Sequence, residues 1–261
     1  MTEHELRVAG HIQSIAADAS FHDFTQQWLM KAVQHNYAQN FSWLGRPIVQ
    51  IPQDIYALQE IIWQVKPDLI IETGVAHGGS LIMSASMLAL LDYCEAVAQG
   101  TTLDPKKTAR KVVGIDIDIR AHNRKAIEAH PLTHFIHLIE GSSIADDVVA
   151  QVQQMATQFR RVLICLDSNH THDHVLAELK AYAHLVTPGS YCIVWDTGVE
   201  DFPAGFCADR PWDKGNNPKT AAHEFLRHHQ QKSGCQFEVD KTIEHKITIT
   251  ASPDGFLKRV A

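Results

Sequence analysis

Hydrophobic residues in the middle of the chain alternate between short, dense runs and longer patterns with helical spacing. Five short runs predict buried β-strands, since they are apolar on both faces: DLIIET, KVVGIDI, THFIHLIE, RVLICLD and SYCIVWD. Segments with helical spacing lie between them. Because parallel neighbouring strands are joined by crossover helices, this order predicts a mostly parallel sheet with helices on both faces.

The two ends of the chain have different patterns. Residues 1 to about 40 place apolar side chains at helical spacing, with no proline before Pro47, and predict an N-terminal helical extension over residues 1–45. Residues 46–261 then form one α/β domain. Near the C-terminus, QFEVDKTIEHKITIT reads as two extended runs and predicts an antiparallel hairpin. Before it, TAAHEFLRHHQQKSG predicts a helix.

Composition narrows the classes of partner. The 261 residues are 45% hydrophobic and 20% charged, which is typical of a globular protein with a sizeable core. The net charge of -7, without a basic block, argues against a nucleic-acid partner and against an anionic membrane. The five cysteines have no paired spacing, which disfavours a disulfide framework. No leader pattern or long uninterrupted apolar run stands out, so we expect a cytoplasmic protein.

The loop after the first predicted strand, ETGVAHGGS, is the first candidate for ligand binding, since open parallel sheets bind ligands beyond their strand ends. Ala76 stands where a dinucleotide fingerprint needs its middle glycine, so a pyrophosphate is disfavoured. An acidic residue before the glycines suits a cationic amine or sulfonium. The alternative is a tight strand-to-helix turn without a ligand. The candidate cofactor residues here are Glu72, Gly74, Gly78, Gly79 and Ser80.

The next two strand ends carry polar groups suited to a nucleoside. Asp116 ends the second strand, where a carboxylate accepts hydrogen bonds from ribose hydroxyls, and Asp118 is a second candidate. Gly141, Ser142 and Ser143 follow the third strand and are candidates for contact with an adenine. Suitable residues at three successive strand ends together favour a nucleoside-containing cofactor.

The stretch LDSNHTHDHV follows the fourth strand and allows two interpretations. Asp167, His170 and His174 together would resemble a zinc or iron site. Alternatively, the stretch opens the next helix with Thr171 or Asp173 as its N-cap. In the second interpretation the intervening histidine, His172, faces solvent.

These motifs fall in the order found in class I S-adenosylmethionine (SAM)-dependent methyltransferases. The chain resembles most closely the cephalosporin hydroxylase/rhamnosyl O-methyltransferase group, to which FSWLGRPIVQIPQD, RPWDKGNNPKTAAHEFL and GFLKR are also similar. The resemblance covers about residues 40–260. It implies an α/β, Rossmann-like methyltransferase fold with a mostly parallel seven-stranded sheet, and SAM as cofactor. It does not identify the substrate, and the motifs do not support hydroxylation.

The resemblance also implies roles for individual residues. Glu72 would hold the amino end of the methionine portion of SAM, Asp116 the ribose and Ser143 the adenine. Asp167, which also borders the cofactor, would bind a metal with Asp196, and His170 would be the general base because a neutral histidine accepts a proton near pH 7.

Whether Mg²⁺ binds stays open from the sequence. Trp195 occupies the position before Asp196 where relatives carry a carboxylate, and tryptophan cannot ligate a metal. Two carboxylates still suffice if waters and substrate oxygens fill the other positions, because Mg²⁺ usually keeps several waters.

The leading hypothesis is therefore a SAM-dependent O-methyltransferase acting on a small-molecule hydroxyl of a sugar, a macrolide or another natural product. One alternative is a metal-dependent oxygenase or hydrolase built on the His/Asp set. Another is a SAM-binding partner protein whose metal site has decayed. We expect a homo-oligomer, since the N-terminal helices are amphipathic. The family likeness places a loop over the acceptor, carrying Trp212, Asp213, Lys214, Asn216 and Asn217.

Overall fold

A computed structural model describes residues 1–230 and 234–261. The helices are α1 Glu3–Ala17, α2 Ala19–Gln34, α3 Pro52–Val65, α4 Gly79–Gln99, α5 Ala121–Glu128, α6 Asp146–Ala156, α7 His172–Tyr182, α8 Pro218–Glu224 and α9 Lys241–Ile247. The strands are β1 Phe41–Trp43, β2 Arg46–Ile48, β3 Leu69–Thr73, β4 Lys111–Asp116, β5 Ile136–Glu140, β6 Val162–Leu166, β7 Tyr191–Val194, β8 Phe237–Val239 and β9 Phe256–Arg259.

Seven strands form one sheet in the order β5-β4-β3-β6-β7-β9-β8. Strands β3 to β7 are parallel, while β9 runs antiparallel to both β7 and β8. This confirms the predicted fold class. The strand order reverses between β3 and β6, which creates a crevice beyond their carboxyl ends, where ligands of such sheets bind.

The predicted C-terminal hairpin is wrong in its second strand. β8 does not turn back directly, because the residues after it form α9, and its antiparallel partner is the later strand β9. The Asp240 side chain caps α9 by accepting a hydrogen bond from the Thr242 amide. Ile243 and Ile247, four residues apart, then pack on the hydrophobic core from one helix face. A short run of β-branched residues thus becomes a helix through capping and packing.

The predicted helix TAAHEFLRHHQQKSG is confirmed over its first part. α8 continues as a π-helical turn, Phe225–His229, in which Phe225 is buried against the sheet. Residues 231–233 of that prediction lie outside the described residues.

Both faces of the sheet are covered by helices, as its apolar strands require. In β3, Leu69 and Ile71 belong to the cluster on one face and Ile70 to the cluster on the other. α4 has the length and composition of a membrane span, but half of its most apolar window is buried inside the protein.

The two N-terminal helices differ in their contacts. α1 has no buried residue, whereas α2 buries Thr25, Leu29 and Ala32. Leu29 packs with Ile51 and Phe202, so that α2 lies beside the loops at the carboxyl edge of the sheet. The domain boundary predicted near residue 45 stays a prediction.

Candidate active site

Three polar side chains meet at the carboxyl edge of the sheet. Asp167 follows β6, Asp196 follows β7, and His170 lies in the loop before α7. His170 Nδ1 is 3.1 Å from Asp196 Oδ2, and its Nε2 is 3.8 Å from Asp167 Oδ1. Among the described residues, these three form the one group of histidine, cysteine or acidic side chains close enough to share a metal ion.

Trp195 is not part of this cluster. Its backbone amide bonds to the Leu166 carbonyl, and its side chain is 4% exposed and meets Phe256 edge-on in the core. Both residues lie in the turn after β7, where the Trp195 side chain packs inward while Asp196 Oδ2 lies 3.1 Å from His170 Nδ1. Asp196 adopts a left-handed backbone conformation and its amide donates to Ser252 Oγ. The third side chain of the cluster is therefore His170, contributed by a different loop.

The cluster is electrostatically unbalanced. Burial, and then the Asp196 carboxylate, raise the pKa of Asp167 well above its usual range. Burial alone would lower the pKa of His170, but Asp196 and Asp167 outweigh it and raise that pKa to about 9. With only the two carboxylates beside it, the His170 imidazole is protonated near pH 7.

The donor set fits a hard divalent cation. Two carboxylates and one imidazole lie with their ligand atoms within 4.8 Å of one another. Carboxylate oxygens are preferred ligands of Mg²⁺, and a cation would relieve the repulsion between the two acidic groups. Asp167 and Asp196 are the residues that would hold it.

His174 does not join this group, which contradicts the Asp167/His170/His174 hypothesis. Its Nε2 lies 3.1 Å from both Ser143 Oγ and Ser168 Oγ. Helix α7 begins at His172, so His170 lies in the preceding loop and the two histidines do not share a helix face.

His172 is also not solvent-facing as predicted. Its Nδ1 contacts Thr220 Oγ1 at 2.8 Å and its Nε2 contacts Glu224 at 3.2 Å, which ties α7 to α8. Thr171 occupies the N-cap position, but its hydroxyl bonds to Asn169.

The glycine loop after β3 packs closely against protein at all three of its glycines, against backbone at Gly74 and Gly79 and against the Ile127 side chain at Gly78. A Cβ on Gly74 (φ +89) would lie 2.7 Å from the Asp167 carbonyl carbon, and one on Gly79 would lie 2.6 Å from the Ile48 Cα. Gly74 and Gly79 therefore let the ends of β3 and β6 lie close together and let β2 rest on the first turn of α4. Both glycines also line the small cavity beside this loop, and their contact with a cofactor stays a prediction.

The two carboxylates predicted to bind the cofactor, Glu72 and Asp116, differ in what they contact. Glu72 is 3% exposed and accepts a hydrogen bond from Ser84, and burial raises its pKa. Its contact with a methionine amine stays a prediction. Asp116 lies at the end of β4, where its Oδ2 accepts from the amides of Val75 and Ala76 at 2.8 and 3.2 Å. Asp116 thus holds the glycine loop in place.

The remaining predicted cofactor residues lie around the same crevice. Gly78 caps α4 in a left-handed conformation, and Ser80 lines a small cavity of about 50 Å³ beside the glycine loop. Ser142 is half-buried, and its carbonyl accepts a hydrogen bond from the Ala145 amide. Ser143 is buried, with its carbonyl bound by the Tyr182 hydroxyl.

A larger cavity of about 590 Å³ opens on the other side of the cluster. His170 and Asp196 reach it, and its walls come from α2, from residues 36–39 and 49–51, and from the loop over residues 198–212. Trp212 stacks on His170 with ring centroids 4.7 Å apart and 23° between the planes. The loop predicted to cover the site therefore does contact it.

Three other residues predicted in this loop, Asp213, Asn216 and Asn217, form hydrogen bonds that fix the loop in place. Asn217 caps α8 and donates to Glu200, while Asn216 accepts from the His172 amide at 2.9 Å. Asp213 accepts from the Gly205 amide at 2.6 Å, and Lys214 is exposed.

Gln50 and Arg46 also contact the site, although no sequence motif predicted either contact. Gln50 Nε2 donates to Asp167 Oδ2 at 3.0 Å, although 117 residues separate them. Arg46 donates to the His77 carbonyl and to Asn123, whose amide donates to the Ala76 carbonyl, so both brace the glycine loop. Arg46 and Gln50 both lie in FSWLGRPIVQIPQD, a stretch that indicates the family but not these contacts.

Comparisons with known proteins agree on one family of methyltransferases. The family model described as Rhamnosyl O-methyltransferase/CmcI matches residues 35–260. A rhamnosyl O-methyltransferase of Mycobacterium tuberculosis (strain H37Rv) is 26% identical over 209 residues, 79% of this chain and 73% of the relative. That of Mycobacterium leprae is 24% identical over 221 residues, covering 84% and 82%. A solved apo structure of CmcI-N160 is 17% identical with a TM-score of 0.49, covering 85% and 77%.

The family model spans most of the chain, from the segment before β1 to the last strand. It includes all three residues of the carboxyl-edge cluster and the predicted cofactor loop. The chain therefore belongs to the Rhamnosyl O-methyltransferase/CmcI family, as the sequence motifs indicated.

Proposed function

We propose that this protein transfers the methyl group of SAM to a hydroxyl of a sugar-type natural product, assisted by Mg²⁺. The observation that carries this proposal is the meeting of Asp167, His170 and Asp196 in one cluster, with His170 and Asp196 lining the 590 Å³ cavity and Asp167 the small cavity beside the glycine loop. Family membership supports the reaction class, and the curated relatives named rhamnosyl O-methyltransferases support a sugar hydroxyl as acceptor.

The large cavity, of about 590 Å³, has the size that a small-molecule acceptor needs, while the cavity of about 50 Å³ beside the glycine loop would hold only part of SAM. SAM would lie along the glycine loop on the side of β3 and β4, and the acceptor would enter the larger cavity. Methyl transfer from a sulfonium is an in-line displacement, so the acceptor oxygen must be held against the methyl carbon. The cluster borders both sides, with Asp167 on the small cavity and His170 on the large one.

The side chains define where the acceptor proton goes. Asp196 accepts the hydrogen on His170 Nδ1 at 3.1 Å, which leaves Nε2 to take the acceptor proton. A base must be neutral, whereas the two carboxylates hold the His170 pKa at about 9. Mg²⁺ on Asp167 and Asp196 would supply the compensating charge and lower the pKa of the acceptor hydroxyl.

The cluster favours this proposal over the alternative of a decayed metal site. Trp195 supplies no ligand, since its side chain packs in the core, but Asp167, His170 and Asp196 still lie close enough to share a cation.

Isothermal titration with SAM is the first test. We expect saturable binding, and no binding at millimolar SAM would refute the proposal. Release of S-adenosylhomocysteine is then measured with rhamnosylated acceptors, with and without Mg²⁺. His170→Ala and Asp196→Asn should abolish turnover while SAM still binds. Unchanged turnover in either variant would refute the assigned roles.

A further inference from the structure

The chain between β2 and α3 separates the two cavities. Among the described residues, Val49 and Gln50 are the two that line both the large cavity and the small one beside the glycine loop. A methyl group that passes from cofactor to acceptor therefore passes this segment.

The backbone around Gln50 is held firmly. Ile48 and Ile51, on either side, are 4% and 3% exposed. The missing side chain of Gly79 lets the Ile48 backbone rest against the first turn of α4. Gln50 itself is 9% exposed, so its amide has a fixed place from which to reach across the crevice.

The Gln50 amide determines how Asp167 is oriented. It donates to Oδ2 at 3.0 Å, while Oδ1 is the oxygen that faces His170. An aspartate with one oxygen held in this way cannot rotate freely about its terminal bond. A neutral donor achieves this without adding a charge that would compete with a cation.

We propose that Gln50 is a positioning residue, which holds Oδ2 of the Asp167 carboxylate so that Oδ1, on the side of His170, stays directed at the cation. This inference rests on the proposed function. Groups that orient metal ligands affect metal affinity by about 10–100-fold when removed. Gln50 would act through Asp167 and contact neither the proton nor the methyl group in transfer.

The test measures binding of Mn²⁺ alone, as a substitute for Mg²⁺, by electron paramagnetic resonance on the full chain. Gln50→Met keeps the side-chain length but removes the donor, and Gln50→Ala leaves space instead. Gln53→Met is the control, since Gln53 lies three residues along, is half-buried where Gln50 is buried, and lines neither cavity.

Both Gln50 variants should bind Mn²⁺ about 10–100-fold more weakly than the wild type, with thermal unfolding close to wild type. The Gln53 variant should bind it normally. Equal Mn²⁺ affinity in the Gln50 variants and the wild type would overturn this inference alone. Failure of the wild type to bind Mn²⁺ would overturn it together with the metal part of the proposed function, whereas SAM titration tests the transferase assignment separately.

Discussion

Replacing Gly74 by alanine tests whether the closeness of β3 and β6 organises the site. Gly74 has φ +89, and an added Cβ would lie 2.7 Å from the Asp167 carbonyl carbon. Gly189 is a matched control, because it has φ +83 but no atom within 4 Å of its Cβ position. Comparing Gly74→Ala with Gly189→Ala separates the steric cost from the conformational cost.

The magnitudes differ enough to be measured. A side chain in the left-handed region costs about 1–2 kcal/mol, which is the whole expected loss for Gly189→Ala. Forcing an atom into a packed region adds about 1–3 kcal/mol. We therefore expect Gly74→Ala to lower the free energy of unfolding by about 2–5 kcal/mol. The obstacle is backbone, so relief requires Asp167 to move.

Urea denaturation followed by circular dichroism gives both free energies from the midpoint and the slope. Gly74→Ala should also weaken Mn²⁺ binding, since it displaces Asp167, whereas Gly189→Ala should not. Equal destabilisation by the two substitutions would refute the close approach of the two strand ends.

Three further substitutions test other parts of the structure. Burial raises the pKa of Asp54 to about 7, so Asp54 stays protonated in the folded protein at pH values where it has already ionised in the unfolded chain. The free energy of unfolding therefore falls as the pH rises from about 4 to about 7, by on the order of 4 kcal/mol. Asp54→Asn should remove that slope in urea titrations across this range, and an unchanged slope would contradict the assignment. Lys219 Nζ lies 2.8 and 2.7 Å from the two Asp201 oxygens, so Lys219→Met should cost about 1–3 kcal/mol of unfolding free energy, and Asp201→Asn in the same chain should recover part of it. No recovery in the double variant would count against the pairing. Trp212→Leu removes the stack on His170, worth about 0.5–1.5 kcal/mol, and should lower kcat/KM with SAM affinity preserved; unchanged kcat/KM would show that the stack does not serve the reaction.

The sequence predicted the central strands well because their signal is local. The five parallel strands are dense apolar runs, and burial on both faces leaves few other structures for such runs. The segment that became α9 was mispredicted for the opposite reason. Its β-branched residues favour a strand in isolation, and only the Asp240 cap and the core beneath Ile243 and Ile247 select a helix.

The site residues at strand ends could be predicted from the sequence, whereas contacts between residues far apart in the chain could not. Asp167, His170 and Asp196 follow predicted strands, and parallel topology brings strand ends together. The partner of Gln50 lies 117 residues away, and no local pattern shows which backbone will occupy the space beside Gly74. The cytoplasmic location and the homo-oligomer stay predictions.

The separation of the two cavities has a consequence for how such enzymes diversify. Under the proposed function, the acceptor would lie against α2 and the loop over residues 198–212, and SAM against the glycine loop and the strand ends. Substitutions in the first set would then alter which molecule is accepted without touching the binding surface of the methyl donor. A laboratory library confined to α2 and that loop would therefore explore new acceptors while retaining the chemistry, with Gln50 and its neighbours as the fixed boundary between the two.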